Sequence, residues 1–117
     1  VSDNLMNKGK GQILVKRFFH FLEENHRKNL TLNEYAQMIG VTANHLTQTI
    51  KQLTGKTSTQ IIKDKQLLEI KRLLVHTNLS VSEIAAQLNF DDQSYFTKFF
   101  KRETGKTPLQ FRSDTLR

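Results

Sequence analysis

The sequence predicts an all-α chain of about seven helices, arranged as two helix-turn-helix subdomains joined by a long central helix. Three observations carry that expectation. Apolar residues recur at intervals of three and four, with no convincing strand-like alternation. Two capping boxes, Thr31-Leu32-Asn33-Glu34 and Ser80-Val81-Ser82-Glu83, stand 49 residues apart; in each, a hydroxyl and a carboxylate suit the orphan amides of a helix start. The sequence around the boxes also repeats. At an offset of 49, Glu34, Ala36 and Ile39 match Glu83, Ala85 and Leu88, after which one extra residue enters the second copy. At an offset of 50, Thr47, Lys51, Thr54, Gly55, Lys56, Thr57 and Gln60 are identical to Thr97, Lys101, Thr104, Gly105, Lys106, Thr107 and Gln110. Seven identities across fourteen positions, in register with the caps, mark an internal duplication.

The elements follow in order. Residues 1–11 are polar and include Gly9 and Gly11, which reads as a linker or arm. Val1 in place of methionine, with that arm, suggests a module cut from a longer protein. From Gln12 a first helix carries Ile13, Leu14, Arg17, Phe18, Phe21 and Leu22 and closes at Glu23-Glu24-Asn25. The first copy reads as helices over 32–39 and 43–54 around Gly40-Val41-Thr42. The second reads as helices over 81–88 and 92–104 around Asn89-Phe90-Asp91. Gly40 and Asn89 tolerate a left-handed turn, and Thr42 and Asp91 can cap the helix that follows. Gly55 and Gly105 stand where a helix ends in a left-handed cap. Between the copies, a stretch over 59–76 carries Ile62, Leu67, Ile70, Leu73 and Leu74 on its apolar side. At 1.5 Å per residue it is about 27 Å long. Thr107-Pro108 offers a cap and a proline at the first position of a last helix running to Asp114. The expected organisation is therefore an arm over 1–11, a first subdomain over 12–57, a linker helix over 58–77 and a second subdomain over 78–117.

Composition narrows the partners. The 117 residues hold 18 basic against 11 acidic side chains, a formal charge of +7, with one proline and no cysteine. Such an excess suits a polyanion, nucleic acid first and an anionic membrane surface second. The basic first helix also carries Glu23 and Glu24, which disfavours the membrane. The lack of cysteine removes disulfide scaffolds and thiolate zinc sites, and fits a reducing cytoplasm. The longest apolar runs, such as Leu73-Leu74-Val75, fall far below the roughly 20 residues of a membrane span, and Val1-Ser2-Asp3-Asn4 shows no signal-peptide pattern. His20, His26, His45 and His76 have no metal-ligand spacing, so no metal or cofactor is expected; His45 borders the outward face described next. There is no phosphate-cradling glycine loop, nucleophile elbow or paired-carboxylate motif, so the chain reads as no enzyme. The eight phenylalanines, at helical spacing, read as core rather than base-stacking residues.

The second helix of each copy separates its residues by face. At 100° per residue, Leu46, Ile50 and Leu53 cluster on one side, and Asn44, Thr47, Gln48 and Lys51 on the other. In the second copy Phe96, Phe99 and Phe100 take the inner side. Ser94, Thr97, Lys98 and Lys101 face away from them, with Gln93 and Arg102 at the margins. Neither outward face holds a carboxylate, whereas an ordinary solvated helix mixes both signs. Amides, hydroxyls and basic groups are the types that read base edges in a major groove. Asn44, Thr47 and Gln48 would read one segment, and Gln93, Ser94, Thr97 and Lys98 the next. Lys51, Lys101 and Arg102 would hold phosphates. Two such helices suit adjacent major grooves roughly 34 Å apart, and their different side chains imply an asymmetric site.

One run of residues is familiar as a whole. Ile84-Ala85, Asn89-Phe90-Asp91-Asp92-Gln93-Ser94-Tyr95-Phe96-Thr97-Lys98-Phe99-Phe100-Lys101-Arg102, Gly105-Lys106-Thr107-Pro108 and Phe111-Arg112 resemble the AraC/XylS family of bacterial transcription regulators. Ala36, Gly40, Leu46, Ile50, Lys51 and Gly55 of the first copy fit the same pattern, so the resemblance spans about 100 residues. It implies a seven-helix module that binds double-stranded DNA through the outward positions named above. It also implies a module that stands alone or forms the C-terminal part of a larger regulator, joined to an N-terminal sensory or dimerisation domain. Three positions depart from the family. It usually has glycine where Asn89 stands, a change compatible with the turn. It often has arginine where Gln48 and Lys98 stand, and those two changes bar any transfer of target sequence. Two other classes fit the same helices: a protein-interaction domain, for instance one contacting RNA polymerase, and a nonspecific DNA-compacting module without a preferred site.

Overall fold

The chain's helices begin and end where side chains can satisfy orphan backbone groups. The computed structural model describes residues 2–116, with side chains from residue 9 onward. Val1, on which the expectation of a longer protein rests, lies outside the described residues. Seven α-helices are seen among the described residues, and no strand: α1 (Ser2–Asn25), α2 (Leu32–Ile39), α3 (Ala43–Thr54), α4 (Ser58–His76), α5 (Val81–Gln87), α6 (Gln93–Thr104) and α7 (Pro108–Thr115). A 3-10 turn, His26–Lys28, follows α1.

Both capping boxes form. The Glu34 amide donates to Thr31 Oγ1 at 3.2 Å and the Thr31 amide returns to Glu34 Oε1 at 3.0 Å. At the second box the Glu83 amide donates to Ser80 Oγ at 3.1 Å, and the Ser80 amide to Glu83 Oε1 at 3.0 Å. Hydrogen bonding to the carboxylate, from the Ser80 backbone first and its side chain second, holds Glu83 below the usual carboxylate range. Thr107 and Gln110 make a third box, ahead of Pro108 at the start of α7.

The chain divides into two compact units. One comprises the residues up to His26 together with Leu30–Asp64; the other comprises Arg27–Asn29 and the chain from Lys65 onward. The division falls inside α4, between Asp64 and Lys65, rather than at the ends of a separate linker over 58–77. The reason lies in which cores the helix fills. Ile61 belongs to the first core, whereas Ile70, Leu73 and Leu74 belong to the second.

In the first unit, Leu14, Phe18 and Leu22 of α1 meet Tyr35, Ala36 and Ile39 of α2 and Leu46 and Ile50 of α3. Phe18 and Tyr35 meet edge-on, with ring centroids 5.8 Å apart. Burial, with the Glu34 charge adding to it, pushes the Tyr35 phenol up to about 12. The expected arm is not one: residues 2–11 are helical backbone continuous with α1. A Cβ placed on Gly11 would stand 3.0 Å from Leu53 Cδ1 and 3.5 Å from Thr49 Cγ2. Gly11 thus serves close approach of α1 to α3, a use of glycine that composition cannot tell from a linker's. Ile13, expected on the apolar side of α1, is 61% exposed, and Phe19 is exposed as well, so not every phenylalanine is core. The buried stripe runs through Leu14, Phe18, Leu22 and Asn25, and Ile13 and Phe19 lie off it.

In the second unit, Ile70, Leu73 and Leu74 pack with Val81, Ile84, Ala85 and Leu88 and with Phe90, Phe96, Phe99 and Phe100. Phe90 and Phe96 meet edge-on at 5.0 Å, as do Phe100 and Phe111 at 5.5 Å. Arg112 ties α7 to the end of α4, donating to Leu74 O at 2.8 Å and Thr77 O at 3.4 Å. A guanidinium can serve two carbonyls at a helix C-terminus, where positive charge is favoured.

The duplication is built in both units with the same bonds. Thr54 Oγ1 donates to Ile50 O at 2.6 Å, and Thr104 Oγ1 to Phe100 O at 2.8 Å. Gly55 and Gly105 follow as left-handed caps, at φ 78° and 84°. Thr57 and Thr107 then accept from the Gln60 and Gln110 amides, each at 3.1 Å. Lys56 pairs with Asp64 at 3.6 Å and Lys106 with Asp114 at 2.7 Å, so a further identity of the repeat, Asp64 with Asp114, is in use four residues beyond Gln60.

Candidate nucleic-acid interface

Each outward face is set by the turn before its helix. Gly40, at φ 87°, closes α2, and its amide donates to Ala36 O and Gln37 O. Thr42 then caps α3, accepting from the His45 amide at 3.0 Å. In the second unit Asn89 takes the left-handed position at φ 59°. The cap there is Asp92, accepting from the Tyr95 amide at 2.6 Å, and not Asp91 as the sequence suggested. The extra residue in the second turn shifts the cap by one and restores the 50-residue register that pairs Thr42 with Asp92.

The named side chains stand on the surface. Asn44, Gln48 and Lys51 of α3 are exposed, and Thr47 is half-buried at the edge of the face. In α6, Gln93, Ser94, Lys98, Lys101 and Arg102 are exposed, and Thr97 is half-buried in the same register as Thr47. The structure thus gathers four of the residues on α3 and six on α6, one set in each unit. Leu46 and Ile50 lie in the first core as expected, but Leu53 is 41% exposed, leaning instead toward Gly11. In the second unit Phe96, Phe99 and Phe100 are all buried.

The charge on these faces is largely uncommitted. Among the described residues no ion pair involves Lys51, Lys98 or Lys101. Arg102 differs. Its Nε donates to Glu103 Oε2 at 3.2 Å, and its guanidinium lies 5.7 Å from the Phe99 ring centroid. α3 contains no carboxylate, and the one in α6, Glu103, has a side chain only 16% exposed. Asp92 is occupied as the cap. Among the described residues no group of three or more His, Cys, Asp or Glu could hold a metal ion, and no helix is long and apolar enough to cross a membrane.

Two features escaped the sequence reading. Tyr95, in the first turn of α6, is 53% exposed, with its ring 6.2 Å from that of Phe90. The 50-residue offset pairs it with His45, which was the available signal. The second is a group of side chains around Asn89. Asn89 Nδ2 donates to Arg27 O at 2.8 Å, and Asn29 Nδ2 donates to Asn89 O at 3.2 Å. Gln66 Nε2 in turn donates to Asn29 Oδ1 at 2.8 Å. Arg27–Asn29 precedes α2 in the chain yet belongs to the second unit, and no local pattern announces that.

Comparison with known proteins bears on the family and the fold. A family model described as a helix-turn-helix domain matches residues 35–114, more than half of the chain. The HTH-type transcriptional activator Btr of Bacillus subtilis is 31% identical over 84 residues, which is 72% of this chain and 16% of that protein. The chain therefore spans well under half the length of this curated relative. The C-terminal domain of the two-component response regulator yesN from Fusobacterium nucleatum superposes with a TM-score of 0.75 at 28% identity, covering 81% of this chain and 93% of that one. The DNA-binding domain of AdpA, a global transcriptional factor solved in complex with a target DNA, shares the fold with a TM-score of 0.75 at 21% identity, covering 86% and 90%. With two helix-turn-helix units, the repeated Thr-Gly-Lys-Thr turns and the family match together, the chain belongs to the AraC-type helix-turn-helix family of transcription regulators.

Proposed function

We propose that the chain is the DNA-binding module of a bacterial transcription regulator, recognising an asymmetric duplex site with one helix in each of two adjacent major grooves. The observation that carries this reading is the pair of equivalent helices, α3 and α6. Both present amides, hydroxyls and unpaired lysines outward, with no exposed carboxylate within either helix. Asn44, Thr47 and Gln48 read one segment, and Gln93, Ser94, Thr97 and Lys98 the other, by hydrogen bonds to base edges. Lys51, Lys101 and Arg102 hold phosphates and fix register.

Family membership and the fold shared with the AdpA domain support this reading. The module acts by binding and catalyses no reaction of its own. The relatives' greater length supports a regulator in which a separate sensory or dimerisation domain accompanies this one, working at the bacterial nucleoid in the cytoplasm. RNA polymerase is the natural second partner of such a regulator. Selection of bound sequences from random duplexes tests the reading. An asymmetric motif about two helical turns long is expected. Enrichment of no motif, or of a palindrome, would refute it.

A further inference from the structure

Asn89 stands where the AraC-type pattern usually has glycine, and its side chain is in use. Glycine reaches a positive φ without cost, whereas asparagine adopts it with some strain that local hydrogen bonds offset. Here Asn89, at φ 59°, donates through Nδ2 to Arg27 O at 2.8 Å, a bond that a glycine could not make. Its own carbonyl accepts from Asn29 Nδ2 at 3.2 Å. Asn29 is the other non-glycine residue with positive φ among the described residues, at 58°. Its amide is oriented from behind, because Gln66 Nε2 donates to Asn29 Oδ1 at 2.8 Å. The partners lie 37 to 62 residues apart in sequence, so this is tertiary structure and not a local turn.

Three residues after Asn89 comes the cap of α6, and Gln93 and Ser94 follow at once. The left-handed residue therefore sets where the helix starts and how its first turn is aimed. We infer that Asn29 and Asn89 form a latch that positions α6, making Asn29 a positioning residue for the half of the site read by α6. It touches no DNA itself and acts through the turn. The inference rests on the DNA-reading function proposed above, and it makes residues of the α1–α2 connection part of the second reading head.

The test uses the full chain and the duplex selected by the wild-type protein. Asn29→Gly keeps the left-handed backbone and removes the amide, so the fold is spared. Gln66→Ala is the second variant, removing only the bond that orients Asn29. Binding is measured to the selected duplex and to duplexes carrying single base changes in each half. For both variants, base changes in the α6 half should lose several-fold of their penalty, while those in the α3 half keep theirs in full. Affinity for the intact site should fall about tenfold for Asn29→Gly and less for Gln66→Ala. An unaltered penalty profile, or equal loss over both halves, overturns the latch while leaving the DNA-reading function standing. A wild-type chain that selects no duplex overturns both.

Discussion

Ser58 and Pro108 occupy the same place in the duplicated unit, the first residue of the helix after the Thr-Gly-Lys-Thr turn, and both are fully buried. Their chemistry differs in a way that matters there. Ser58 Oγ is buried with no hydrogen-bond partner, whereas proline has nothing to leave unsatisfied. The first helical position also needs no amide, since Thr57 already serves the Gln60 and Ile61 amides. Ser58→Pro should therefore stabilise the chain by about 0.5–1 kcal/mol, through a stiffer unfolded chain and a removed orphan hydroxyl. Pro108→Ser should destabilise it. Urea denaturation of the two variants beside the wild type checks this, and a less stable Ser58→Pro chain would show that the site cannot take the ring.

At the scale of elements, the sequence was most informative where the structure is locally determined. Helix α2 and helix α3 begin and end where Thr31, Gly40, Thr42 and Gly55 place them, because capping is a contact between residues three or four apart. The two outward faces were legible for the same reason: helical period alone sorts Gln48 from Ile50. Periodicity fails where a neighbouring helix decides. Leu53 falls on the inner arc of α3 but is 41% exposed, and Gly11 reads as linker until Leu53 is seen beside it. The Asn29–Asn89 contact, 60 residues apart, leaves no trace in any window of sequence. Since the faces rest on local rules, each should act as a separable element. Gln48→Ala should cost about 1–3 kcal/mol on the selected duplex and relax preference only at bases read by α3. Lys98→Ala should do the same at the α6 half. Competition with single-base variants of the site reads this out, and a uniform loss across both halves would mean that these side chains hold backbone rather than bases.

For the molecule as a whole, the excess of positive charge belongs to neither unit alone: seven basic against five acidic residues stand in the first unit, and eleven against six in the second. What distinguishes the two faces is how that charge is used. Arg27, Lys56, Arg72 and Lys106 are tied to Glu69, Asp64, Glu69 and Asp114, while Lys51, Lys98 and Lys101 make no ion pair among the described residues. Lysines already paired release fewer counterions when a polyanion arrives, so the salt dependence should report the unpaired set first. Neutralising about six phosphates would weaken binding roughly a thousandfold between 50 and 200 mM salt. Lys51→Ala and Lys101→Ala should each lower the slope of log affinity against log salt by about 0.9, with little change in preferred sequence. Lys56→Ala should leave that slope nearly unchanged, because its charge is balanced by Asp64 at 3.6 Å before DNA is present. Titrations of the selected duplex at several salt concentrations decide the matter. A slope that falls as far for Lys56→Ala as for Lys51→Ala would show that affinity follows net charge alone, and that the two outward faces have no privileged electrostatic role.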